Sequence, residues 1–163
     1  MTLAAALGIS VVSPAAAETT TRRDRVGDAP ASVDLLRVTY QHDRDLSQQV
    51  RVRNLDHQAN IYLFLGTRRM SPQSKYTARV WKDGGDVKRR LQVSTVEGPG
   101  EMVPCPDMRA TWRPQASRVS VSVPRTCVEL PRVVTMEGFS IRDRDLPSVE
   151  RFDRVRRALV SRR

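Results

Sequence analysis

The chain has 163 residues, with 28 Lys or Arg against 18 Asp or Glu, so its formal net charge is +10 at neutral pH. The length suits one domain with its own core, and a cationic excess of this size favours anionic partners such as cell-wall polymers, phospholipid headgroups or nucleic acid. With two histidines and two cysteines, the chain offers little for a zinc site or a histidine-based catalytic triad.

Residues 1–17 have the pattern of a secretory signal peptide. An apolar run from Leu3 to Val12 is followed by Ser13-Pro14 and the small-residue site Ala15-Ala16-Ala17, and the run is too short to span a bilayer. No Lys or Arg precedes it, so either the true start lies upstream or the export signal is weak; a buried N-terminal strand or helix is the alternative. The pattern predicts a secreted protein, either extracellular or associated with the cell wall.

The next segment, residues 18–33, is poor in apolar side chains and contains Gly27 and Pro30, a composition typical of a flexible mature N-terminus. Alternation of apolar and polar residues then predicts three strands, at Asp34 to Gln41, around Val50 and Val52, and at Ile61 to Leu65. The third of these is apolar on both faces, so we expect it to be a central strand.

A β-hairpin is predicted from Tyr76 to Val93, with its turn at Asp83-Gly84-Gly85-Asp86. A two-residue turn of type I′ needs positive φ at both central positions, which glycine supplies. The resulting register places Ala78 opposite Leu91 and Arg79 opposite Arg90. Because like charges facing each other are destabilising, the arginine pair indicates an exposed edge or an anion between the two side chains.

A second hairpin is predicted between Cys105 and Cys127, where alternating residues flank a turn at residues 113–117. Its register pairs Trp112 with Val119 and Ala110 with Val121, and it brings the two cysteines close together. Export places thiols in an oxidising compartment, so the sequence predicts a disulfide between them.

The last part of the chain is predicted to hold one more strand and a helix. The strand runs from Val133 to Ile141, with a bulge near Gly138 where the alternation changes phase. In residues 147–163, apolar side chains recur at helical spacing among arginines, at Phe152, Val155 and Leu159. This spacing predicts a basic amphipathic helix that either caps the domain or docks on an anionic surface.

About seven short strands without βαβ alternation predict an antiparallel β-sandwich over residues 34–146, with a small closed barrel as the alternative. Two motifs, Cys105-Pro106-Asp107 and Pro124-Arg125-Thr126-Cys127, follow the hairpin that begins in the Trp81 strand. This order resembles a group of uncharacterised small secreted proteins of actinobacteria, over Asp34 to Asp143. The resemblance implies a sandwich of the kind used by some carbohydrate-binding modules, and no known activity.

The sequence predicts neither an enzyme nor a cofactor. It has no G-x-S-x-G turn, and the spacing of its acids selects no pair for glycoside hydrolysis. Motifs for specific nucleic-acid recognition are also missing. Among metals, calcium has the best candidate ligands, Asp83 and Asp86 at the first hairpin tip, although aspartates in turns usually bond to the local backbone.

The candidate binding residues are two groups of arginines and one aromatic side chain, which is either exposed or on the opposite sheet face from its neighbours Tyr76, Ala78 and Val80: Trp81; Arg79, Arg89 and Arg90; Arg151, Arg154 and Arg157. Aromatic rings stack on sugars, and guanidinium groups bind anions. We therefore expect a secreted, non-catalytic binding or accessory module for an anionic cell-envelope polymer, a polysaccharide or a membrane surface. The alternative is a small extracellular enzyme or enzyme inhibitor.

Overall fold

The computed structural model describes residues 18–67, 76–93, 100–142 and 152–162, which form two five-stranded antiparallel sheets around one core. The strands are β1 (Glu18–Arg23), β2 (Leu35–His42), β3 (Asp45–Val52), β4 (Ala59–Gly66), β5 (Tyr76–Asp83), β6 (Asp86–Val93), β7 (Arg109–Arg113), β8 (Arg118–Pro124), β9 (Val133–Arg142) and β10 (Phe152–Ser161). The all-β antiparallel sandwich is confirmed, with ten strands instead of about seven. Within these four ranges, no helix has the length and apolar character that crossing a bilayer requires.

The first sheet has the strand order β1-β2-β3-β8-β7, and the second has the order β10-β9-β4-β5-β6. Strand β4 is central in the second sheet, as its apolar composition predicted. Its residues Ile61, Leu63 and Leu65 are buried in the core, whereas Tyr62 and Phe64 are half-buried on the outer face.

Both predicted hairpin registers are confirmed. In the first hairpin Ala78 faces Leu91 and Arg79 faces Arg90, and Gly84 and Gly85 both have positive φ, at 57° and 98°. In the second hairpin Trp112 faces Val119. Cys105 and Cys127 form the predicted disulfide across a sequence separation of 22, with their Cα atoms 5.5 Å apart.

The N-terminal segment is ordered where the sequence predicted flexibility. Strand β1 pairs with β2 along its whole length, from Glu18 opposite His42 to Arg23 opposite Arg37. The Glu18 carboxylate also accepts a hydrogen bond from the amide of Ser161 in the other sheet, at 2.6 Å. Backbone pairing compensates here for the lack of apolar side chains. The predicted signal peptide, residues 1–17, lies outside the described residues.

The C-terminal helix prediction is wrong for the described residues, because they form strand β10 against β9. Of the three residues that suggested a helical face, only Val155 is buried, whereas Phe152 and Leu159 are exposed. The strand also contains a β-bulge: Val155 faces Gly138 and Ala158 faces Met136, so two residues of β10 stand opposite the single residue Glu137. Residues 147–151 of the predicted helix lie outside the described ranges.

The bulge predicted near Gly138 in the strand from Val133 to Ile141 is not found there, since β9 pairs with β4 without a register shift and the extra residue belongs to β10. Gly138 has another role. Its amide donates a hydrogen bond of 2.6 Å to the buried hydroxyl of Tyr40, which links the two sheets through the core. A Cβ atom at position 138 would lie 3.2 Å from that hydroxyl and 3.3 Å from the methyl groups of Val38. The close approach of β2 to β9 requires glycine here.

We expect Gly138→Ala to destabilise the fold by about 1–3 kcal/mol, because the added methyl overpacks the contact with Tyr40 and Val38. The free energy of unfolding in urea measures this. In the Tyr40→Phe background, which removes the hydroxyl, the same substitution should cost less. Equal costs in both backgrounds would contradict the proposed crowding.

Loss of the disulfide, by reduction or in Cys105→Ala/Cys127→Ala, should lower the free energy of unfolding by about 3 kcal/mol, since the bond closes a loop of this length in the unfolded chain. Chemical denaturation with and without reductant measures the loss. Mass spectrometry of alkylated, unreduced protein must first show a peptide that links the two cysteines.

Candidate functional site

Five arginines form one row across the outer face of the first sheet. The register pairs Arg23 with Arg37, Arg37 with Arg51, Arg51 with Arg118, and Arg118 with Arg113. One residue comes from each of the five strands. We call this set the arginine row.

The arginine row presents a line of positive charge to solvent. Neighbouring strands lie about 4.8 Å apart, so five strands give a line roughly 19 Å long. Four of the side chains are exposed, and that of Arg118 is half-buried. None of the five has a side-chain hydrogen bond or ion pair with another described residue. Because like charges face each other at every step, a bound anion would relieve the repulsion.

The strip beside the arginine row is polar and neutral. Its residues, again one from each strand, are Thr21, Thr39, Gln49, Ser120 and Thr111. All of these except Thr21 line a shallow pocket, together with Arg109 and further serine, glutamine and aliphatic side chains. Hydroxyl and amide groups next to a line of guanidinium groups can bind the hydroxyls and the anionic groups of one ligand.

The outer face of the second sheet brings together several residues singled out from the sequence. The guanidinium of Arg79 lies 4.6 Å from the ring centroid of Trp81, and that of Arg90 lies 5.6 Å from it. Next to them, aromatic rings of Tyr62 and Phe139 meet edge to face, with centroids 5.6 Å apart. This face therefore combines cation–π contacts with partly buried aromatic side chains.

Much of the charge on the second face is engaged within the protein. Arg79 donates two hydrogen bonds to Oδ1 of Asn60, at 2.9 and 2.6 Å. Arg154 forms an ion pair with the buried Glu137, and Nε of Arg157 lies 3.5 Å from the same carboxylate. These internal contacts reduce the charge available to a ligand.

Two of the arginines predicted to bind a ligand are not placed on this face. Arg89 stands opposite the inward-facing Val80, so it projects from the other side of the edge strand β6. Arg151 lies outside the described residues.

The predicted calcium ligands at the hairpin tip are not brought together with a third acid. Asp83 and Asp86 are both exposed, and Oδ2 of Asp86 lies 3.2 Å from Nζ of Lys88. Among the described residues, the acidic side chains close enough to share a cation lie elsewhere in the fold.

His42, which the sequence placed in a polar loop, is fully buried. Because a guanidinium can only donate, Nη1 of Arg125 donates to Nε2 of His42 at 2.8 Å, and Nδ1 carries the proton that bonds to the Val160 carbonyl, at 3.4 Å. Burial lowers the pKa of His42, and the charge of Arg125 lowers it further. The ring is a neutral structural element with both nitrogens occupied.

Burial also perturbs two other groups in the core. It raises the pKa of the Tyr40 hydroxyl, which therefore stays protonated. It raises the pKa of Asp153 to about 7, and the nearby carboxylates of Asp24 and Asp28 add to the rise. The buried core thus disfavours additional negative charge near Asp153.

The arginine row was not predicted from the sequence. One step of it follows from the predicted hairpin, because pairing Trp112 with Val119 also pairs Arg113 with Arg118. The remaining steps need the strand order β1-β2-β3-β8, which joins strands distant in the chain. Alternation alone could place Arg37 and Arg51 on an outer face without showing that they are neighbours.

No protein-family model matches this chain, and no curated protein matches it.

The buried, neutral His42 should make stability depend on pH. Below its ordinary pKa of 6.5, the unfolded state takes up a proton that the folded state does not, so this contribution to stability is complete above pH 6.5 and declines as the pH falls. The difference in unfolding free energy between the wild type and His42→Gln, measured from about pH 7 to about pH 5, should shrink with falling pH. A difference that stays constant would contradict the assignment.

Proposed function

We propose that this protein is a secreted, non-catalytic binding module that holds an anionic polymer of the cell envelope against the outer face of its first sheet. The observation that carries the proposal is the arginine row, because five aligned cations have no internal counterion among the described residues. A linear polyanion lying across the strands would contact several of them at once.

The neutral strip beside the row supports a glycopolymer as the ligand. Its threonine, serine and glutamine side chains offer donors and acceptors for sugar hydroxyls, while the arginines bind phosphate or carboxylate groups. A plain anionic membrane would use the charges but would leave this polar strip without a partner.

Export is supported by the signal-like segment 1–17 and by the disulfide, since such bonds persist in oxidising compartments. The chemistry of the described residues supports a binding role in preference to catalysis. Both ring nitrogens of the buried His42 are bonded within the fold. The proposed face presents mainly arginine, hydroxyl and amide groups. The resemblance to small secreted proteins of actinobacteria agrees with an envelope location.

The test measures sedimentation of the protein with purified cell wall, and binding to dextran sulfate, across a sodium chloride series. The row variant Arg37→Gln/Arg51→Gln/Arg118→Gln should lose affinity about tenfold or more, because each charge-assisted contact is worth roughly 1.5–3 kcal/mol. Its affinity should also depend less steeply on salt, since fewer counterions are released on binding.

A matched control carries Arg44→Gln/Arg89→Gln/Arg132→Gln, three exposed arginines outside the row. It has the same net charge as the row variant and should bind nearly as well as the wild type. Equal losses of affinity in both variants would show that the binding is nonspecific charge attraction. Loss in Trp81→Ala/Arg90→Gln with the row variant unaffected would place the site on the second sheet.

Vesicles of anionic phospholipid provide the remaining comparison. Binding to vesicles as tight as binding to cell wall would contradict a polymer-specific module and favour a membrane surface. No binding to any of these probes would overturn the proposed function.

A further inference from the structure

A cluster of carboxylates lies where the loop between β1 and β2 meets β10. One carboxylate oxygen from each of Asp28, Asp34 and Asp153 lies within 4.8 Å of the other two. Asp34 and Asp153 are buried, whereas Asp28 is exposed. The cluster is therefore anchored in the core and open to solvent on one side.

The loop holds Asp34 in a fixed position. Oδ2 of Asp34 accepts a hydrogen bond from the Gly27 amide at 2.9 Å and lies 3.1 Å from Nε of Arg53. Gly27 has a φ of 90°, a conformation that glycine adopts without steric cost. The amides of Val33 and Asp34 both donate to the Pro30 carbonyl, at 2.9 Å.

Two carboxylate oxygens of this loop are buried and have no hydrogen-bond partner among the described residues: Oδ1 of Asp34 and Oδ2 of Asp24. The Asp34 residue is 0% exposed. A buried carboxylate oxygen of this kind is costly unless it is hydrogen-bonded or coordinates a cation. The guanidinium of Arg53 compensates only part of the negative charge gathered here.

We propose that Asp28, Asp34 and Asp153 bind one calcium ion. Calcium binds carboxylate oxygens at about 2.3–2.6 Å, so one ion can contact three oxygens that all lie within 4.8 Å of one another. Calcium also accepts an irregular shell completed by water and backbone carbonyls. Magnesium needs a nearly octahedral arrangement and gives up its water ligands reluctantly, which suits a site of several protein carboxylates less well.

Bound calcium would cross-link the two sheets. Asp28 and Asp34 belong to the loop that leads into β2 of the first sheet, whereas Asp153 belongs to β10 of the second. An ion that these residues hold only in the folded state stabilises that state, and the stabilisation rises with the logarithm of the ion concentration once this exceeds the dissociation constant. The site is separate from the arginine row, so it can be tested without reference to polymer binding.

The test is calorimetric titration of the metal-free protein with calcium chloride, together with thermal unfolding in excess EDTA and in about 10 mM calcium, which is roughly ten times the weakest affinity usual for extracellular sites. We expect one calcium per chain and a higher melting temperature with calcium. Magnesium chloride at the same concentration should give a smaller shift.

Asp28→Asn is the decisive variant, since its exposed position leaves the core intact. It should weaken calcium binding about tenfold or more, because the removed ligand is charged, and it should melt in EDTA as the wild type does. Asp83→Asn, at the exposed hairpin tip, is the matched control and should bind normally. No calcium-dependent change in the wild type, or equal affinity in Asp28→Asn, would overturn the proposal.

Discussion

The carboxylate of Asp153 lies inside the sandwich and accepts a hydrogen bond from the amide of Leu35 in the opposite sheet, at 2.5 Å. Two further bonds cross the core close by, from the Ser140 hydroxyl to the Val33 carbonyl and from the Gly138 amide to the Tyr40 hydroxyl. Hydrophobic burial alone is non-directional and would tolerate sliding of the sheets. These directional bonds set the position of β2 against β9 and β10, since any shift would leave buried polar groups without partners.

Each sheet also has an outer face, and the arginines on the two outer faces differ in their contacts. On the second sheet, arginines are bound by Asn60, Glu137 and the Trp81 ring, so that their charge serves the fold. On the first sheet, the arginine row has no such partners among the described residues and has repulsive neighbours. The repulsion along the row would be relieved by the anionic polymer proposed above as the ligand.

Local signals predicted the parts of the fold that depend on local chemistry. The glycine pair at the tip of the first hairpin and the turn at residues 113–117 of the second determined both registers, because turn geometry fixes which residues face each other. The second register in turn brought the two cysteines together. Strand β10 escaped prediction because the exposed residues Phe152 and Leu159 fall at helical spacing from the buried Val155, although the three do not share one face. The arginine row and the aspartate cluster both escaped because they join residues from distant strands, and a single sequence contains no information on strand order.

The bulge in β10 also bears on how the protein behaves at high concentration. This strand is at the border of its sheet, where unpaired backbone groups invite a strand from another molecule and so begin aggregation. The extra residue bends the strand, and it places both Arg156 and Arg157 opposite Glu137. An incoming strand would meet an irregular backbone lined with positive charge. The β-bulge thus helps to keep separate molecules from pairing edge to edge.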